Sequence, residues 1–120
     1  MADRVLFIGW GTPVRGREER SLEVFNDIMA HNVRLQQEGR IERFDVVLLE
    51  PNGDLDGYVE LHGSAEQLAA LRQDKEFRRR TIDANLIVES LRMIDGVVNE
   101  GIATEMAAYQ EAISQVPQTA

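Results

Sequence analysis

Apolar residues change their spacing several times along the chain, and each change marks an element. Val5 to Trp10 (VLFIGW) is a dense apolar run carrying β-branched and aromatic residues. A run this short, apolar in both parities, predicts a strand covered on both faces. Pro13 and Gly16 interrupt it, and Glu18 and Glu19 then stand where a helix N-terminus favours negative charge. Leu22, Phe25, Met29 and Val33 recur at helical spacing as far as Gly39, which predicts a helix over about residues 18–38 with that stripe inward and a glycine cap.

The segment IERFDVVLLEPNGDLDGYVELHG alternates as a β-hairpin does, with Asn52-Gly53 as a type I′ turn. This turn pairs Arg43 with His62 and Asp45 with Glu60. One face then collects Phe44, Val46, Leu48, Gly57, Val59 and Leu61, and the other Arg43, Asp45, Val47, Leu49, Asp56, Tyr58, Glu60 and His62. The first set is clean enough for a core, and a slip of one residue would mix the two.

Ser64-Ala65-Glu66-Gln67 has the form of a capping box opening a second helix with Leu68 and Leu71 on one face, and Asp74 caps a further turn through Phe77. Leu86 to Met93 is apolar enough for a fourth strand, with Asp95-Gly96 as a turn. Ile102, Met106, Tyr109 and Ile113 give an amphipathic C-terminal helix over about residues 101–116, followed by a frayed QTA. The order βαββαβ plus a terminal helix predicts an α+β, ferredoxin-like fold with an antiparallel sheet and both main helices on one face. The expected organisation is a single domain over residues 1–120, with its core over about 4–95. Val47, Leu49 and Tyr58 beside Arg43, Asp45, Glu60 and His62 are too apolar for open water and too polar for a dry core. The expected solution is a homodimer packed sheet to sheet.

Charge and composition narrow the function classes. A net charge of −8 and a pI near 4.7 argue against nucleic acid as a partner. The one basic cluster, Arg78-Arg79-Arg80, follows Asp74 and Glu76 and reads as a solvated helix face. The absence of cysteine excludes disulfides, thiolate metal sites and cysteine nucleophiles. The N-terminal apolar run is too short for a secretory segment, and no stretch approaches the ~20 apolar residues of a membrane span, so a soluble, cytoplasmic protein is expected.

Together the strand VLFIGW, the acidic-start helix ending in LQQEG, the hairpin RFDVVLLEPNGDLDGYVELHGSAEQLAAL and the D-x-E-F turn at Asp74 to Phe77 resemble the dimeric α+β barrel superfamily. That group includes quinol-type monooxygenases of the antibiotic-biosynthesis kind, EthD-like, YCII-like and stress-responsive proteins, and many members have no assigned activity. The resemblance covers about residues 4–95 in pattern and order, without a catalytic motif. It implies dimerisation through the sheets and a small-molecule site between sheet and helices.

Candidate chemistry is sparse. In FIGWGTPVRGREERS the glycines do not match a dinucleotide fingerprint, which needs glycine where Val14 stands. Nor do they match a P-loop, since Gly16 is followed by Arg17-Glu18, and Glu18, Glu19 and Glu23 would repel a phosphate. The plainer reading is a tight connection in which Gly9 and Gly11 let the chain bend or approach another backbone. Trp10, the only tryptophan, either floors a ligand pocket or fills the core or a dimer interface. Asn32 falls in the middle of the helical apolar arc, with Gln36 a turn further on, and must bond either a neighbouring strand or a ligand. His31, at the border of that arc, is expected at the surface.

The hairpin register sets Asp45 opposite Glu60, which would raise the pKa of one carboxyl toward general acid–base use, with His62 sharing the proton traffic. The plainer reading has Arg43 bridge the acids with nothing catalysed. Neither a metal spacing such as H-E-x-x-H nor a G-x-S-x-G elbow at Ser21, Ser64 or Ser90 is present, so no metal site, cofactor or serine hydrolase is expected. Two functions from different classes remain. One is a cofactor-independent enzyme or binder for a small, aromatic organic molecule, with Trp10, Asn32, Tyr58 and His62 shaping the pocket and Asp45 and Glu60 moving protons. The other is a non-catalytic accessory or assembly protein whose polar sheet face is a subunit interface and whose C-terminal stripe docks on the partner chain.

Overall fold

Eight elements follow in the order β1 (Arg4–Trp10), α1 (Glu18–Gln37), β2 (Arg43–Leu48), β3 (Gly57–Gly63), α2 (Ala65–Gln73), α3 (Lys75–Asn85), β4 (Arg92–Val97) and α4 (Glu100–Ser114). The computed structural model describes residues 1–117 and 119, so the expected fraying of the last residues lies outside the described residues at Gln118 and Ala120. The four strands form one antiparallel sheet in the order β2-β3-β1-β4, the ferredoxin-like arrangement. None of the described helices is long and apolar enough to cross a membrane.

The hairpin register is the expected one, with Arg43 opposite His62 and Asp45 opposite Glu60. Its turn is not. Only Gly53 has a positive φ (+77°), and the strands stop at Leu48 and Gly57. The Asn52 amide organises the loop, accepting from the N–H groups of Asp54 (2.9 Å) and Leu55 (3.0 Å) and donating to the carbonyls of Glu50 (2.8 Å) and Leu55 (2.7 Å). A two-residue turn would need a donor from Pro51, which has no N–H, so the loop opens while the register survives.

Helix α1 ends in a Schellman motif: Gly39 adopts φ +71°, its N–H donates to Gln36 O (3.1 Å), and Arg40 N–H donates to Leu35 O (2.9 Å). Its buried residues are Val24, His31, Asn32 and Leu35, an arc rotated by roughly 125° from the expected Leu22/Phe25/Met29/Val33 stripe. Leu22 and Val33 are exposed, and Gln36 also faces solvent. The helix therefore meets the sheet on a different face from the most regular apolar one.

Ser64 closes the predicted capping box on α2, accepting from Gln67 N–H (3.1 Å) while Gln67 Oε1 accepts from Ser64 N–H (2.8 Å). Asp74 accepts from Phe77 N–H (2.9 Å), and the expected turn is a full helix of 11 residues. The fourth strand starts at Arg92 instead of Leu86, and Asp95 and Gly96 lie within it opposite Leu6 and Val5. Ile87 and Val88 bury against Val24 while Leu86 is exposed, and Ser90 at φ 57° redirects the chain before the sheet.

Leu6, Val59 and Leu61 from the sheet, Leu35 and Ile41 from α1 and the loop after it, and Leu68, Leu71 and Phe77 from α2 and α3 form one core. Full burial of such side chains contributes about 1.5–3 kcal/mol each. Helix α3 packs on α1 and α2 rather than on the sheet. Helix α4 meets the sheet through its first turn, where Gly101 lies close to Asp3 and Val97 and the preceding Asn99 Nδ2 donates to Ala2 O (2.6 Å), and its stripe is open at Ile102 (49%), Met106 (51%) and Tyr109 (62%).

Candidate functional site

The FIGWGTPVRG stretch is held by backbone pairing. Gly11 N–H donates to Glu89 O (2.8 Å), Glu89 N–H to Thr12 O (2.9 Å) and Val14 N–H to Ile87 O (2.8 Å). A Cβ on Gly11 would stand 2.8 Å from Glu89 O, so glycine is needed there for close approach, as its position in the connection predicted. Gly16 N–H, where a phosphate loop would offer a donor, already gives its proton to Glu18 Oε1 (2.8 Å). The segment is a strap joining the end of β1 to residues 87–89.

Behind that strap lies a cavity of about 530 Å³ between α1, α3, the inner face of the sheet and the hairpin loop. Its wall is mainly apolar, and it explains the rotated helix: Leu22, Phe25 and Met29 line the cavity, which keeps that face of α1 off the sheet. Trp10 points inward from β1, so its sheet face is the helix side. Its ring lies over Gly57, where a Cβ would be 2.8 Å from Cζ2, and meets Phe25 edge to face at 5.9 Å. Trp10 thus packs against the core and lines the cavity at once.

Three polar side chains of α1 reach the same cavity: Ser21, whose hydroxyl donates to Glu18 O (2.6 Å), His31 and Asn32. Asn32 is 3% exposed and makes no side-chain hydrogen bond among the described residues, so the strand bond weighed for it is absent. His31 is also 3% exposed, not at the surface as expected, because the buried arc centres near Leu35 and reaches His31 at its edge. Its Nε2 lies 3.7 Å from Glu76 Oε1 and lacks a hydrogen bond. Burial pushes the His31 pKa below its ordinary value of 6.5, against the opposing pull of Glu76, while Arg80 and Arg34 add to the lowering. Arg34 (2.8 Å) and Arg80 (2.9 Å) both engage Glu76, and these hydrogen bonds hold its carboxyl below the usual range.

Tyr58 and His62 lie on the opposite face of the sheet, away from Trp10 and Asn32, so the four expected pocket residues do not meet at one site. On that outer face the Phe7 and Tyr58 rings stack at 5.1 Å. Beside them Asp45, Glu60 and His62 come together: His62 Nε2 is 3.3 Å from Asp45 Oδ2 and 3.9 Å from Glu60 Oε1, and Arg43 bonds the same Asp45 oxygen. His62 is 5% exposed, and neither ring nitrogen has a hydrogen-bond partner.

No family model matches the chain. No curated protein matches it either. Solved structures do. A dimeric protein of unknown function and ferredoxin-like fold from Bacteroides fragilis NCTC 9343 superposes with a TM-score of 0.59 at 15% identity, over 79% of this chain and 96% of that one. A conserved protein of unknown function from Bacteroides thetaiotaomicron VPI-5482, described as a possible oxidoreductase, gives 0.62 at 13% identity over 82% and 100%. SnoaB, a cofactor-independent oxygenase from Streptomyces nogalater, gives 0.49 at 17% identity over 82% and 93%. The chain has the ferredoxin-like α+β fold.

Proposed function

We propose that this protein binds a compact, largely apolar organic molecule, aromatic in character, in the cavity between sheet and helices. The observation that carries this reading is the unpartnered Asn32 amide in the wall of an apolar space of about 530 Å³. Ligand pockets of about 300–1,000 Å³ combine an apolar wall with a few polar groups that fix orientation. Asn32 offers both a donor and an acceptor, and neutral His31 lies next to it. Trp10 and Phe25 supply aromatic surface. The ligand therefore carries a hydroxyl, carbonyl or carboxylate at one end of a ring system.

The same reading takes the chain as a single-domain, cytoplasmic homodimer that meets its partner through the outer sheet face, with neither nucleic acid nor membrane as a target. In the runner-up reading that face serves assembly alone and the cavity takes no ligand. The Phe7–Tyr58 pair favours an interface there, and an interface is compatible with either function.

The test uses Trp10 as the sole tryptophan fluorophore. Small aromatic and carboxylic compounds are screened by thermal stability, where a ligand at a hundred times its Kd adds about 2.7 kcal/mol. Hits are then titrated by emission. A hit should change Trp10 emission and weaken in Asn32→Leu. Stabilising compounds that leave the emission unchanged and bind Asn32→Leu equally would overturn the cavity as the site.

A further inference from the structure

We propose that His62, Asp45 and Glu60 form a binding site for one divalent first-row transition-metal ion on the outer face of the sheet. The site is on the other side of the sheet from the cavity and stands independently of the ligand reading. Linear spacing does not reveal it, because the three residues are collected by cross-strand register: Asp45 pairs with Glu60, and His62 is two residues further along the same face of β3.

The first argument is the state of His62. A buried imidazole that makes no hydrogen bond loses its solvation without compensation. His62 is 95% buried by its 5% exposure, and both Nδ1 and Nε2 are unpartnered. Nε2 is nevertheless aimed between two carboxylates. A metal ion accepts that lone pair and at the same time neutralises the two acids that face it.

The second argument is geometric. Ligand atoms at about 2.0–2.2 Å from a metal stand roughly 3–3.5 Å from one another when the site is octahedral or tetrahedral. The distances of 3.3 Å from Nε2 to Asp45 and 3.9 Å to Glu60 are close to that, and one atom from each residue lies within 4.8 Å of the others. Glu60 and Asp45 are partly exposed, so their carboxylates have freedom to close the remaining gap. Arg43, itself half-exposed, must release the oxygen it shares with His62 or turn to the second one.

The third argument is donor type. One imidazole and two carboxylates suit Zn²⁺, Mn²⁺, Fe²⁺ or Co²⁺ better than Mg²⁺ or Ca²⁺, which seek oxygen alone. Three protein donors leave positions open for water or for a group of an approaching molecule.

The experiment is calorimetric titration of the tag-free full chain with Zn²⁺, followed by imidazole NMR. We expect one Zn²⁺ per chain, with affinity reduced at least about tenfold in both Asp45→Asn and Glu60→Gln. Among the two histidines, the ring signals of His62 should shift at one equivalent while those of His31 stay in place. Circular dichroism checks that the variants fold, and if either does not, the NMR of the unaltered chain decides alone. Absence of saturable binding, affinity unchanged in both folded variants, or a shift of His31 in place of His62 would each overturn the proposal.

Discussion

His31 Nε2 faces Glu76 Oε1 at 3.7 Å, linking α1 to α3 at the wall of the cavity. Because burial lowers the His31 pKa, the unfolded chain takes up a proton before the folded one as the pH falls below 6.5. The stability associated with neutral His31 is complete above that value and is lost progressively as pH falls toward the folded pKa. Thermal melts between about pH 8 and 5 should therefore slope downward below pH 6.5, and His31→Gln should flatten this slope. An equal slope in the variant would place the proton uptake elsewhere.

Ala84 lines the cavity with the smallest side chain that can be enlarged there. Ala84→Leu adds three carbons at a position that lines the cavity and also packs against the Val24/Ile87/Val88 cluster, where overpacking costs about 1–3 kcal/mol. The expected result is ligand affinity down at least about tenfold, with a stability loss no larger than that range. Unchanged affinity would show that the ligand sits elsewhere.

The strap at residues 11–14 depends on close backbone approach. Gly11→Ala sets a methyl group 2.8 Å from Glu89 O and 3.2 Å from Asp54 O, both backbone atoms that cannot rotate away. A loss of about 1–3 kcal/mol in chemical denaturation is expected.

Asp74 both caps α3 and meets Arg40 at 2.9 Å. The bond from Phe77 N–H, followed by that from Arg40, holds its carboxyl below the ordinary 3.8, so its contribution is present above that pH and is lost as pH falls below it. Asp74→Ala should cost about 0.5–2 kcal/mol near neutral pH, and Asp74→Asn much less, since asparagine keeps the cap and loses only a partly exposed ion pair. Equal losses in the two variants would assign the effect to Arg40.

Tyr58 stands on the outer face in contact with Phe7. If chains associate through this face, Tyr58→Asp adds a carboxylate from each chain to a face that already carries Asp45 and Glu60, and should shift sedimentation from dimer to monomer. A dimer that persists would locate the interface elsewhere.

Element order and hairpin register were legible because they rest on local signals: alternation in residues 43–62, the Ser64/Gln67 box and the glycine after α1. Two of the errors share an origin. The regular stripe of α1 and the apolar Leu86–Val88 run register hydrophobic surroundings, but a cavity wall and a strap are hydrophobic without being core or strand. The candidate site was legible residue by residue and not as an assembly. Asn32 was singled out by its place in the arc, whereas the separation of Trp10 from Tyr58 depends on the parity of β1, which its two-sided apolarity conceals.

Helix α4 meets the sheet through its first turn and leaves the rest of its length beside open solvent. A 15-residue helix is only marginally stable in water by itself, so α4 depends on the few contacts it makes. Its amide protons are thus expected to exchange with deuterium through local opening, at a free energy far below that of the β1 and β3 amides, which exchange only when the whole core opens. The chain then has two levels of cooperativity, and any contact that covers Ile102, Met106 and Tyr109 would be read first as slower exchange in α4, before it changed the melting temperature of the rest.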